Sequence, residues 1–159
     1  MSIYLDPKFI AFLVQYNHIE DYYECHELLE DLWVEGQIHT KIHPLPMLIL
    51  IATGHYHYRR GNRVGAIRTL SNAIHRFEEI PDDFKQQVPI HWEEWIPALQ
   101  LQLDVWKKQG PFQTTPIPIS SNVQPLVERT RLHTVQPPKE SLIHKHKAVF
   151  QHKKQRGTH

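Results

Sequence analysis

The chain has 159 residues, 40% of them hydrophobic, with a formal net charge of +1 and one cysteine, Cys25. That length supports one domain with a real core rather than two. A lone cysteine excludes an intramolecular disulfide, and no apolar run approaches the length needed to span a bilayer. No basic segment followed by an apolar stretch opens the chain, so a secretory signal is not expected and the cytoplasm is the simplest location. Residues 1–138 carry 12 Lys/Arg against 16 Asp/Glu, and residues 139–159 carry 6 against 1, so an acidic body precedes a basic tail. Within the body, acids crowd residues 20–35 while Arg59, Arg60, Arg63, Arg68 and Arg76 crowd another segment. These two segments are expected to attract each other, with Glu27, Glu30 and Arg60 paired and most of the remaining charges solvated.

Asp6-Pro7 reads as an N-cap followed by proline at the first helical position, which starts a helix over 7–17. A second helix over 20–35 places Tyr22, Cys25, Leu29, Leu32 and Trp33 on one apolar face, with His26 and Glu30 half-buried on its shoulder beside Tyr23 and Glu27. Residues 36–46 read as a loop closed by Pro44 and Pro46, followed by a largely buried third helix over 46–60. Gly61 fits a left-handed C-cap and Asn62 the N-cap of a fourth helix over 63–77, making an antiparallel hairpin in which Gly65-Ala66 allows close backbone approach. Trp92, Trp95, Leu99, Leu103 and Trp106 recur at helical spacing over 91–108, with Pro97 placed to kink or restart that helix. The expected core is Leu29, Leu32, Trp33, Ile51, Leu70 and Phe77.

Prolines at 111, 116, 118, 125, 137 and 138 make 110–138 an extended arm lying on the bundle. The predicted organisation is therefore an all-α helical domain over 1–109, a Pro-rich arm over 110–138 and a basic tail over 139–159. The tail has few apolar anchors, so its deletion is expected to leave the melting temperature nearly unchanged.

Thr53, His57 and Arg60 form one stripe of the third helix. If it faces the shoulder of the second, His26, Glu30, His57 and Arg60 converge, with Tyr23 and Glu27 at the edge and Asn62 beside them. Four readings are open. The cluster is structural, with Glu30 and Arg60 paired, so that Arg60→Ala destabilises the fold. It holds a divalent metal (zinc, iron or manganese) on His26, Glu30 and His57, for metal-dependent hydrolysis with Glu27 as base. It binds a small anionic ligand through Tyr23, Glu30, Arg60 and Asn62, or does acid–base work with His26 or His57. Alternatively, the basic tail is an interaction module, although nucleic acid is not the expected partner because the tail lacks a folded framework. Whether the protein is an enzyme is left open, and a homo-oligomer built on the tryptophan-rich helix is a further option. No tightly held ion and no cofactor are expected, because Arg60 competes for Glu30 and repels a cation.

The runs Asp21-Tyr22-Tyr23-Glu24-Cys25-His26-Glu27-Leu28-Leu29-Glu30-Asp31-Leu32-Trp33 and Tyr56-His57-Tyr58-Arg59-Arg60-Gly61-Asn62, followed by Gly65-Ala66, resemble the domain of unknown function 309 family over about residues 9–77. Residues 141–147 are similar to the tails of Bacillus-type members. The resemblance implies a small helical bundle, a cytoplasmic protein and no established activity. Pro46 and Leu50 stand where the family usually has glutamines, so this chain's site is less polar at that end.

Overall fold

The computed structural model describes residues 2–134; the basic tail and the last residues of the predicted arm lie outside them. The described residues include seven α-helices: α1 (Pro7–Val14), α2 (Tyr22–Glu35), α3 (Pro44–Arg59), α4 (Arg63–Glu79), α5 (Asp82–Gln87), α6 (Trp92–Lys107) and α7 (Gln124–Leu132). The fold is all-α, and the one β-type pairing among the described residues is an isolated antiparallel bridge between Ile90 and Ile119. None of these helices is long and apolar enough to cross a membrane.

Local rules account for most helix ends. The Asp6 carboxylate accepts from the Lys8 N–H at 2.8 Å, and Pro7 follows where no intrahelical N–H is needed. Beyond Val14 the same helix widens into a π turn, Gln15–Ile19, that ends at Glu20 in a left-handed conformation (φ 62°). The π turn carries Tyr16 into the core and Asn17 toward the arm. It also delays α2 from the expected residue 20 to Tyr22, with the buried Asp21 capping the Glu24 N–H at 3.0 Å.

Pro44 and Pro46 do not close a loop as expected. They occupy the first turn of α3, whose N–H groups have no intrahelical partner, and the His43 side chain caps Leu45. Gly61 (φ 86°) and Asn62, which accepts from the Gly65 N–H at 3.0 Å, turn the chain into α4. Pro97 does not restart α6, which runs through it from Trp92 to Lys107. It stands in the second turn, and the carbonyl it leaves without a partner belongs to the exposed Glu93. The extended arm ends near residue 119, and α7 follows within the segment expected to be extended. Pro125 is tolerated there because it falls in the first turn.

α3 lies between α2 and α4, α1 packs on α2, and α7 covers α1. Leu29, Leu32, Ile51 and Leu70 are fully buried, while Trp33 and Phe77 pack at the rim, against His43 and Trp92. The close approach of α3 to α4 falls at Gly54, not Gly65. A Cβ at 54 would meet Ala66 O and Leu70 N at 3.5 Å, whereas at 65 it would strike the Asn62 cap at 2.5 Å. Gly54→Ala should therefore be neutral or stabilising by up to about 1 kcal/mol. Gly54→Leu should cost about 1–3 kcal/mol by overpacking. Thermal unfolding of the two variants checks the pair, and equal effects would refute the close approach.

Candidate functional site

The shoulder of α2 forms as the wheel requires. His26 is mostly buried (13% of its side chain exposed), with Nε2 3.1 Å from a Glu30 oxygen and Nδ1 3.4 Å from a Glu27 oxygen. Tyr23 lies over the imidazole, ring centroids 6.4 Å apart and planes 27° apart. Partial burial, followed by the neighbouring Glu27 carboxylate, pushes the Tyr23 hydroxyl well above its ordinary pKa. It stays a neutral donor.

From α3, Tyr56 meets Tyr23 at 6.2 Å between centroids, and this contact joins the two motifs on one face. Arg60 lies over the Tyr56 ring at 5.2 Å and donates to its hydroxyl. His57 contacts Tyr56, and its Nδ1 is 3.5 Å from the amide nitrogen of Asn62, whose oxygen is used by the helix cap.

The connectivity differs from the expected one in three ways. First, Glu30 is exposed rather than half-buried (54%), because His26 takes the inner position and Glu30 reaches back to it from outside. Arg60 is exposed and lies on Tyr56, so Arg60→Ala, expected from the sequence to destabilise, should stay within about 0.5 kcal/mol of the parent. Denaturant unfolding checks this, and a loss above about 1.5 kcal/mol would show a pairing role after all. Second, the metal-ligating atoms brought within 4.8 Å of one another belong to His26, Glu27 and Glu30, and His57 is not in that group. Third, the acidic and arginine-rich segments meet at Arg59 and Glu20 (3.3 Å), while Asp31 and Glu35 turn to Lys8 on α1 and Arg63 and Arg68 are exposed.

A second polar constellation has no counterpart in the sequence reading. His55, on the inner face of α3, is fully buried. Its Nδ1 donates to the Ile51 carbonyl at 2.8 Å, which leaves Nε2 to accept from the Thr115 hydroxyl at 2.9 Å and face the Tyr16 hydroxyl at 3.3 Å. Tyr16 and Thr115 also bond each other at 3.0 Å, and the Gln102 amide stands 3.5 Å from Nε2. Trp106, Tyr22 and Phe112 enclose the ring. Arg59 seals this chamber, its guanidinium 4.6 Å from the Tyr22 centroid and 4.8 Å from that of Phe112, while donating to the Glu20 carbonyl at 2.5 Å. Burial drives the His55 pKa down to about 4, and Arg59 adds to the shift. One signal was legible: His55 follows Ile51 by one turn on the buried face. Its hydroxyl and amide partners lie 39 to 60 residues away and are not.

These features define a small all-α protein with an apolar centre pinned by a buried histidine and a half-open polar face between two consecutive helices. Residues 9–69 match the family described as Domain of unknown function (DUF309). The chain is 39% identical over 69 residues to the Bacillus subtilis (strain 168) protein described as "Uncharacterized protein YpuF". That match takes in 43% of this chain and only 40% of the relative's length. No solved structure matches the chain. Tyr23, His26, Glu30, Tyr56 and Arg60 all fall within the matched segment, whereas Gln102, Phe112 and Thr115 lie beyond it.

Proposed function

We propose that the protein is a cytoplasmic binding protein that takes a small ligand with an anionic group on the face formed by Tyr23, His26, Tyr56 and Arg60. The Tyr23–Tyr56 contact supports this reading, because it holds the exposed Arg60 guanidinium over an aromatic platform one contact away from the His26–Glu30 pair. A planar, permanently charged fork laid on a ring is well suited to a carboxylate or phosphate. Glu30 on the rim would meet a donor group of the same ligand. Inorganic phosphate and acetate are the probes. Phosphate at 100 times its dissociation constant should stabilise the chain by about 2.7 kcal/mol, and Arg60→Ala should abolish that gain without moving the unliganded melting temperature. A phosphate response retained by Arg60→Ala, or none in the parent, would defeat the reading.

A divalent cation is the second reading, favoured by the grouping of His26, Glu27 and Glu30. A cation there would take one imidazole nitrogen and replace one of the two His26–carboxylate pairs, leaving open positions and Lewis acidity for hydrolysis. The ligands come from barely one turn of one helix. For protein purified without chelators, elemental analysis is expected to find far less than one equivalent of metal. Zinc, iron or manganese near one equivalent, lost in His26→Ala, would move this reading to first place.

A further inference from the structure

Residues 110–119 cross the bundle as an extended strap whose main chain is read by helix side chains. The Tyr58 hydroxyl donates to the Gly110 carbonyl, the Gln102 amide to Gln113 at 2.6 Å, and the Trp95 indole to Thr115 at 3.1 Å. Asn17 pairs with Ile117 in both directions, at 2.8 and 3.0 Å. Thr115 and Ile117 are buried while Thr114 and Pro116 between and beside them are exposed. Main-chain bonds with alternate side chains in pockets are the means by which proteins bind extended peptides. A seat of this kind is indifferent to which copy of the chain supplies the occupant.

The turn that delivers the strap is under strain. At the end of α6 the Gly110 N–H bonds the Val105 carbonyl at 2.8 Å and the Gln109 N–H bonds that of Trp106 at 3.0 Å, a Schellman pattern. Its left-handed residue is Gln109 (φ 62°), and the glycine that would occupy that position without penalty stands one place later. Gly110 is itself hemmed in, since a Cβ there would lie 2.5 Å from Val105 Cγ1. Pro111 then stiffens the exit.

We propose that the strap exchanges between two copies of this chain, so that residues 110–134 of each copy seat on the helices of the other. A short, strained hinge is the condition that favours such exchange. The contacts remade in the dimer are those of the closed monomer, and the net charge of +1 opposes association little. The test is refolding of the full-length chain from denaturant at micromolar and submillimolar concentrations, with mass read by light scattering. A species of twice 18.9 kDa should form at the higher concentration. Gly110→Ala, which crowds the closed turn, should raise its share several-fold. Gln109→Gly, which relaxes the turn in both copies of the hinge, should lower it about tenfold or more. Absence of a dimer in the parent chain overturns the proposal, as does a dimer whose share is unmoved by Gln109→Gly. The second outcome stands even if Gly110→Ala does not fold.

Discussion

Replacing His55 by alanine should lower the stability of the fold by about 3–5 kcal/mol, the largest effect expected of a polar residue here. The loss is mainly one of volume. The imidazole fills the space among Tyr16, Tyr22, Trp106 and Phe112, and no solvent reaches it. A cavity lined by rings locked in edge contacts cannot collapse without breaking those contacts. The hydrogen-bond loss is smaller, because Tyr16 and Thr115 keep each other and Gln102 keeps the Gln113 carbonyl. At about 2–4 °C per kcal/mol the melting temperature should fall by about 10 °C. His26→Ala serves as a control on the same helical scaffold. Its ring is mostly buried but lies outside that chamber, with carboxylate partners that reach solvent, so a smaller loss of about 1 kcal/mol is expected. Equal losses for the two variants, or a His55→Ala loss under about 1 kcal/mol, would show that the chamber does not hold the fold.

The contrast between His55 and His57 shows what was legible in the sequence. Helix ends were readable where a cap acts within four residues, as at Asp6-Pro7, Gly61 and Asn62. The inner face of α2 was readable because Tyr22, Cys25, Leu29 and Leu32 repeat at helical spacing. His57 and Arg60 stand out as polar residues on one stripe, whereas Tyr56, which contacts Tyr23, immediately precedes His57 and is off that stripe. The attraction of Arg59 to the acidic segment was legible, but the place of His55 and Arg59 in a closed chamber was not, because it is set by Thr115, Gln102 and Phe112, and no local pattern announces a partner so far along the chain. α7 was hidden for a different reason. Recurring prolines over 110–138 argue for extension on average, yet Pro125 sits in the one turn of a helix that does not need its N–H.

Acidification should weaken the fold through the same histidine. Burial, and then the Arg59 charge, hold the His55 pKa at about 4, whereas in the unfolded chain it returns to about 6.5. Between those values the unfolded state binds a proton that the folded state refuses, so stability rises with pH across the window and falls as pH drops from 6.5 toward 4. The stabilisation present above the upper limit is lost progressively and levels off below the lower one, a span on the order of 3 kcal/mol. His43, lowered by burial, and His18, lowered by burial and then by Arg131, act in the same direction. His55→Gln removes the titrating group while keeping a polar side chain in the chamber. Denaturant unfolding of parent and variant from neutral pH down to about pH 4.5, near the lower end of the window, isolates the contribution as the difference in slope. Carboxylates elsewhere titrate equally in both proteins. Parallel pH profiles would show that His55 takes up its proton without cost, which would require the Thr115 or Tyr16 hydroxyl to reverse and accept from Nε2. A steeper fall in the parent, confined to the window between the two pKa values, is the result the buried, Arg59-sealed chamber demands.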